Sequence, residues 1–197
     1  MKIILASTSP RRKELLKKLG LNFTVVNSCF DESLIKYDNN PIEYCQSLAF
    51  NKANNIAHQY KNKIIIGADT IVILKNKLFP KPSTKKQASL FLKKLSNNTH
   101  QVFTGISFIK NNKNIIFYES TDVTFKNLSK EEIQYYIDNY NSLDKSGAYG
   151  IQDWSSVFIK NINGCYFNVV GFPISKIYKN LKAFSPKIIE NLLVKKI

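Results

Sequence analysis

Between Ile64 and Leu74 the chain reads IIIGADTIVIL, apolar except around Gly67, Asp69 and Thr70. A run that continuous has no polar face to give to water. It reads as a buried strand, or a pair of strands, covered on both sides. Covering it takes helices, and the rest of the chain supplies them. KIILA is a strand that runs straight into a helix, with Ser9 as N-cap, Pro10 as first helical residue and Gly20 as stop. NFTVVNS is a second strand. PIEYCQSLAFNKANNIAHQYKN carries Pro41 in its first turn and Cys45, Leu48, Ala49, Ile56 and Tyr60 at helical spacing. Thr84 and Gln87 form a capping box ahead of Ala88, Phe91, Leu92 and Leu95; Ser129 and Glu132 form another ahead of Ile133, Tyr136, Ile137 and Tyr140. QVFTGISFI and IIFYESTDVTF read as neighbouring strands. SSVFIKNINGCYFNVVG reads as a hairpin turning at Asn163-Gly164, and Pro173 and Pro186 each start a terminal helix. Alternating strands and helices predict an α/β fold. With no long linker or repeat, one domain over residues 1–197 is expected, with two lobes around a cleft.

The charge is less ordinary than the pattern. Lys and Arg exceed Asp and Glu to give a net +15, which favours polyanionic partners. The lysines, however, are scattered among Asn and Ile, and no basic run approaches a nucleic-acid-binding arm. Nucleic acid is therefore not the expected partner. Cys29, Cys45 and Cys165 are widely spaced, and His58 and His100 stand alone, so neither a zinc site nor a disulfide framework is expected. The N-terminal IILA is too short for a signal peptide, and no apolar stretch is long enough to span a bilayer. A cytoplasmic protein without membrane contact is the expectation.

Chemistry shows where polar residues break the apolar pattern. Lys52 follows Leu48 by four residues and precedes Ile56 by four, so it sits on the core-facing stripe of its helix. A lysine there either snorkels out or holds an anion. Asp69 interrupts the buried run. A desolvated carboxylate is costly unless it faces a cation, a metal or a proton to be moved; the alternative is a bend at Gly67-Ala68-Asp69. Arg11 and Arg12 open the first helix, at the end whose dipole repels positive charge. Free amides, hydroxyls and two guanidinium forks there suit a phosphate; the alternative is a solvated basic turn. Asp31-Glu32 places carboxylates at a strand end, Lys81 is held extended between two prolines, and LDKSGAYGIQD combines Asp144, Lys145, two glycines and Gln152. Cations at Arg11, Arg12, Lys52 and Lys81 with carboxylates at Glu32 and Asp69, several of them facing inward, call for a guest bearing both phosphates and a divalent metal.

These stretches together resemble the Maf family of nucleoside triphosphate pyrophosphatases. The resemblance runs from LASTSPRRKELL through NKA, GADTIV, KP, THQVFTG and LDKSGAYGIQ to INGCYFNVVGFP, in order and at matching spacing. It implies an elongated mixed β-sheet flanked by helices, two lobes around a cleft, as in inosine triphosphate pyrophosphatases. It also implies metal-assisted attack of water at the α-phosphorus of a nucleoside triphosphate, giving a monophosphate and pyrophosphate. The divalent cation would be Mg²⁺ or Mn²⁺. Carried over by position, Ser7 and Arg12 bind phosphates with Lys52 and Lys81, while Glu32 and Asp69 hold metal or activate water, Asp69 as proton acceptor. Arg11, Thr70 and Gln152 mark the subfamily acting on dTTP and UTP, whereas the sister subfamily acts on 7-methyl-GTP. A homodimer is a further implication. The family's link to septum formation, together with the basic charge, also allows a nucleic-acid-binding or division-regulating protein without turnover. Two departures stand out: Asp153, followed by the only tryptophan, Trp154, occupies a place where glycine is common, and Phe172 replaces a usual leucine.

Overall fold

The computed structural model describes residues 2–194; Met1 and residues 195–197, the ends of the expected 1–197 domain, lie outside the described residues. Strands β1 (Ile3–Leu5), β2 (Phe23–Val25), β3 (Ile64–Leu74), β4 (Lys77–Phe79), β5 (Thr99–Lys110), β6 (Lys113–Phe125) and β7 (Ile159–Gly164) form one sheet in the order β2-β1-β3-β5-β6-β7, with β4 also on β3. The β1–β2 and β1–β3 pairs are parallel and the others antiparallel. The helices are α1 (Pro10–Lys18), α2 (Pro41–Ala57), α3 (Lys85–Leu95), α4 (Lys130–Asn139), α5 (Tyr166–Val170), α6 (Ile174–Phe184) and α7 (Pro186–Val194).

The apolar run is a single strand, β3, with no bend at Gly67-Ala68-Asp69. Its two faces serve different layers. Ile64, Ile66 and Ala68 join a cluster with Leu15, Leu16, Ile177, Leu181 and Ile189 from α1, α6 and α7. Val72 and Leu74, further along the same face, join a second cluster with residues of α3 and α4. The opposite face, through Ile65, Ile71 and Ile73, packs under α2. Two glycines allow that helix to lie close. A Cβ on Gly67 would collide with the Ala49 carbonyl, and one on Gly105 of β5 with the Cys45 carbonyl. Gly105 stands opposite Asp69 in the ladder, so the closest approach of α2 falls beside that carboxylate.

β1 pairs with Ile64–Ile66 and β4 with Val72–Leu74 along the same edge of β3, which leaves an unpaired stretch between them. Backbone groups there need partners. Arg12 Nη1 donates to the Ala68 carbonyl at 2.8 Å and Ser146 Oγ to the Thr70 carbonyl at 2.9 Å. This gap, between the two clusters, is where the cleft opens.

Two local expectations are corrected. No hairpin forms over residues 155–171. Trp154–Phe158 is a 3₁₀ turn, Ile159–Gly164 is a strand paired with β6, and a short helix follows. Gly164 (φ 126°) ends the strand, and Thr121 Oγ1 takes the next amide, that of Cys165, at 3.0 Å. The Asn-Gly pair therefore marks a strand exit. The box at Thr84 is half formed: Thr84 accepts the Gln87 amide, but Gln87 Oε1 accepts from the Ser83 amide and hydroxyl instead. The Ser129–Glu132 box is complete.

Candidate active site

Ser7, Arg11, Arg12, Glu32, Lys52, Asp69, Thr70, Lys81 and Gln152 all line one cleft of about 400 Å³, a size suited to a small-molecule ligand. They reach it from separate places in the fold. Ser7 follows β1, both arginines open α1, Glu32 begins a 3₁₀ turn after β2, and Lys52 comes from α2. Asp69 and Thr70 lie in the unpaired stretch of β3, Lys81 in the Pro-Lys-Pro segment after β4, and Gln152 in the loop before the Trp154 turn. Because side chains alternate along a strand, Asp69 and Thr70 leave β3 on opposite faces.

On the α2 side, the Lys52 ammonium lies between two carboxylates. It is 2.7 Å from Glu32 Oε1 and bonded to Asp69 Oδ1. Lys52 and Asp69 are both buried, so each relieves the other's desolvation. Burial alone would raise the Glu32 carboxyl, but Lys52, with Lys81 and Arg12 behind it, holds it below the usual carboxylate range.

On the other side, Arg12 makes a fixed fork. Nε donates to the Gly171 carbonyl at 3.0 Å, Nη1 to Ala68 O and, at 3.3 Å, to Ser7 Oγ, and Nη2 to Thr70 Oγ1 at 3.0 Å. Burial lowers its pKa, with Asp69 opposing the shift. Thr104 Oγ1 donates to the Asn168 carbonyl at 3.1 Å, which leaves it to accept from Thr70 Oγ1 at 3.0 Å. A directional chain thus runs Arg12–Thr70–Thr104–Asn168. At the helix N-terminus the Ser9 side chain caps the Arg12 amide at 3.5 Å, and the Ser9 amide donates to Ser7 Oγ at 3.3 Å.

The expectation that these charges all await a guest needs correcting. Lys52 is already matched by Glu32 and Asp69, and Arg11 Nη1 by Asp144 Oδ2 at 3.1 Å. Arg12 is matched largely by carbonyl dipoles. Lys81, at the exposed rim, makes no ion pair among the described residues. Of the charged lining side chains, five are cations and three are carboxylates, so an anionic ligand is still favoured.

Sequence reasoning left Thr104 and Ser146 out of the site and marked Asp144 only as part of LDKSGAYGIQD, without a role. Two adjacent arginines at a helix start signal a missing counter-ion, and Asp144 is one the chain supplies itself. Thr104 faces Thr70 in the β3–β5 register, which only the strand pairing reveals. Trp154, by contrast, stacks on Tyr136 and Tyr140 and is not part of the cleft lining. Phe172 is a fully buried core residue.

A family model described as Maf-like protein matches residues 2–184. The dTTP/UTP pyrophosphatase of Bacillus anthracis (strain CDC 684 / NRRL 3495) is 45% identical over 184 residues, 93% of this chain and 96% of that protein. The dTTP/UTP pyrophosphatase of Bacillus mycoides (strain KBAB4) is 43% identical over 187 residues, 95% and 97% of the two chains. Among solved structures, the Staphylococcus aureus Ham1 protein superposes with a TM-score of 0.46 at 16% identity, covering 64% of this chain and 72% of its own. A nucleoside-triphosphatase (dITP/XTP pyrophosphatase) from Mycobacterium abscessus superposes with a TM-score of 0.44 at 12% identity, covering 98% of each chain. At these scores neither superposition bears an inference.

Proposed function

The chain belongs to the Maf family, and on that footing we propose that it hydrolyses dTTP and UTP to the monophosphate and pyrophosphate as one domain over residues 1–197. The observation that carries this is the meeting of Lys52, Glu32 and Asp69 in a cleft that also receives the N-terminus of α1 and Arg12.

The triphosphate lies along the start of α1, where backbone amides, Ser7 Oγ and the Arg12 guanidinium meet phosphate oxygens. Lys81 reaches it from the rim. Lys52 turns part of its charge from the carboxylates to the phosphates. Asp69 accepts the proton of a water that attacks the α-phosphorus, and the bond from that phosphorus to the bridging oxygen breaks, releasing pyrophosphate. These groups act most strongly on charge that grows as the bridging oxygen leaves.

Glu32 and Asp69 fit a divalent cation. They are hard oxygen donors facing a cation in the structure already, and Mg²⁺ in nucleotide enzymes is held by one or two carboxylates with phosphate oxygens and water completing the shell. Among the described residues no third His, Cys, Asp or Glu joins them. Bound there, Mg²⁺ or Mn²⁺ supplies neutralisation of phosphate charge. At the base end, Arg11 and Gln152 face a pyrimidine: Gln152 can both donate and accept, and Arg11 only donates. Cytoplasmic location belongs to the same reading, supported by three unbridged cysteines, and a homodimer is carried over from the family likeness alone. No helix among the described residues is long and apolar enough to cross a membrane.

The test is a panel of canonical and modified triphosphates with Mg²⁺ and Mn²⁺, scored separately for pyrophosphate and orthophosphate. Pyrophosphate from dTTP and UTP above all others is expected. Preference for 7-methyl-GTP, or orthophosphate as the product, overturns the assignment.

A further inference from the structure

Asp144 and Lys145 line the cleft yet take no part in the steps above. Asp144 holds Arg11 in two ways. Its Oδ2 accepts from Nη1 at 3.1 Å, and its backbone carbonyl accepts from Nη2 at 3.5 Å. The bridge ties the start of α1, whose Leu15 and Leu16 belong to the first core cluster, to the loop after α4, whose Ile133, Tyr136 and Ile137 belong to the second. Asp144 is itself braced. Its Oδ1 accepts from Lys145 Nζ at 2.8 Å, and that ammonium also meets the Asn141 carbonyl and lies 3.6 Å from Asp153 Oδ2. Asp153 is anchored in turn by the Tyr136 hydroxyl at 3.1 Å and by the Ser155 amide and hydroxyl at 3.1 and 2.8 Å. The Lys145 stem passes over Gly150, where a Cβ would stand 2.6 Å from Lys145 Cε. Four charges thus alternate in sign from Arg11 to Asp153, around the loop that presents Gln152.

An arginine free at a cleft rim turns toward the greatest negative charge, which in this cleft is the triphosphate. Paired with Asp144, Arg11 stays at the base end, and the N–H groups that Asp144 does not engage remain available as donors. We infer that Asp144 positions Arg11 against the pyrimidine ring and that Lys145, clamped between Asp144 and Asp153, holds Asp144 in place to do so. This rests on the reading of the cleft as a pyrimidine nucleotide site. Uracil and thymine offer carbonyl oxygens to such donors, whereas cytosine offers an amino group at the corresponding edge, donor against donor. Asp144 therefore acts on the choice of base and not on the chemical step. Asp153, standing where the family resemblance expects glycine, adds a brace that a glycine there could not supply.

The experiment measures kcat and KM separately for dTTP, UTP and CTP with wild type, Asp144→Asn, Asp144→Glu and Asp153→Gly, each first checked for an intact thermal transition. Asp144→Asn is expected to raise KM for dTTP and UTP about fivefold, keep kcat within about twofold, and lower the UTP-to-CTP ratio of kcat/KM about fivefold, the scale of one partly exposed ion pair. Asp144→Glu should recover most of that loss, and Asp153→Gly should move the same quantities the same way by less. A UTP-to-CTP ratio unchanged in Asp144→Asn, or a fall in kcat at constant KM, overturns the inference while leaving the pyrophosphatase assignment standing. A wild-type protein that releases no pyrophosphate from any of the three overturns the assignment itself.

Discussion

A carboxylate and an ammonium, Asp69 and Lys52, are buried side by side in the cleft. Asp69 is bonded to Lys52, and Lys52 keeps a second partner in Glu32. Replacing Asp69 by Asn keeps the shape and leaves Lys52 paired, so the fold and nucleotide affinity should survive while the proposed proton acceptor is lost. Turnover is expected to fall about 10²- to 10⁴-fold. Calorimetry with a non-hydrolysable dTTP analogue beside kcat separates the two effects, and near-normal hydrolysis would strip Asp69 of its role. Both residues were legible in the sequence because each breaks an apolar stripe. That they face one another was not, since it depends on where α2 lies across β3. Arg12 was half legible. Its inward position was plain, but its hold on the Ala68 and Gly171 carbonyls arises from an open strand edge that only the tertiary pairing creates.

At the level of elements, the meeting of Lys52 and Asp69 follows from how closely α2 rides on the sheet. Gly67 and Gly105 set that distance, because a side chain on either would push into helix backbone. Gly105→Ala is expected to destabilise the protein by about 1–3 kcal/mol, the usual range for overpacking, and to lower kcat as Lys52 is displaced. Urea unfolding and steady-state rates on the same samples check both. A variant as stable and active as wild type would show that the helix adjusts freely. β5 also carries His100, fully buried against Phe125 with Nε2 2.7 Å from the Tyr149 hydroxyl. Burial lowers its pKa from 6.5 to about 3. The folded state therefore resists a proton that the unfolded state takes up, so its contribution is full above pH 6.5 and declines as the pH falls toward about 3. Melting temperatures between pH 7 and about 4.5 should fall more steeply for wild type than for His100→Gln; equal slopes would remove His100 as the cause. The elements were largely legible, since strands and amphipathic helices leave strong periodic signals. The hairpin misreading at Asn163-Gly164 shows the limit. A turn dipeptide fixes a change of direction, whereas the next element depends on the neighbouring strand, whose Thr121 takes up the Cys165 amide.

Across the whole molecule, the net charge of +15 invites two readings that ionic strength separates. A nucleic-acid binder would place its excess charge on a continuous surface and release many counterions on binding, so its affinity would collapse steeply with salt. Here the lysines are dispersed along the chain, and the cleft keeps only a small surplus of cations over carboxylates. That arrangement speeds the approach of a polyanion without gripping a long one. Raising NaCl from about 50 mM to 500 mM is expected to lower kcat/KM for dTTP several-fold through KM, as screening shortens the reach of the field, with kcat nearly constant because Lys52 and Asp69 are buried. Duplex DNA, added at low salt, should bind weakly and leave hydrolysis almost untouched. Strong inhibition by DNA that persists in moderate salt would mean that the basic surface and the cleft form one binding site, and the dispersed charge would then have a partner of its own.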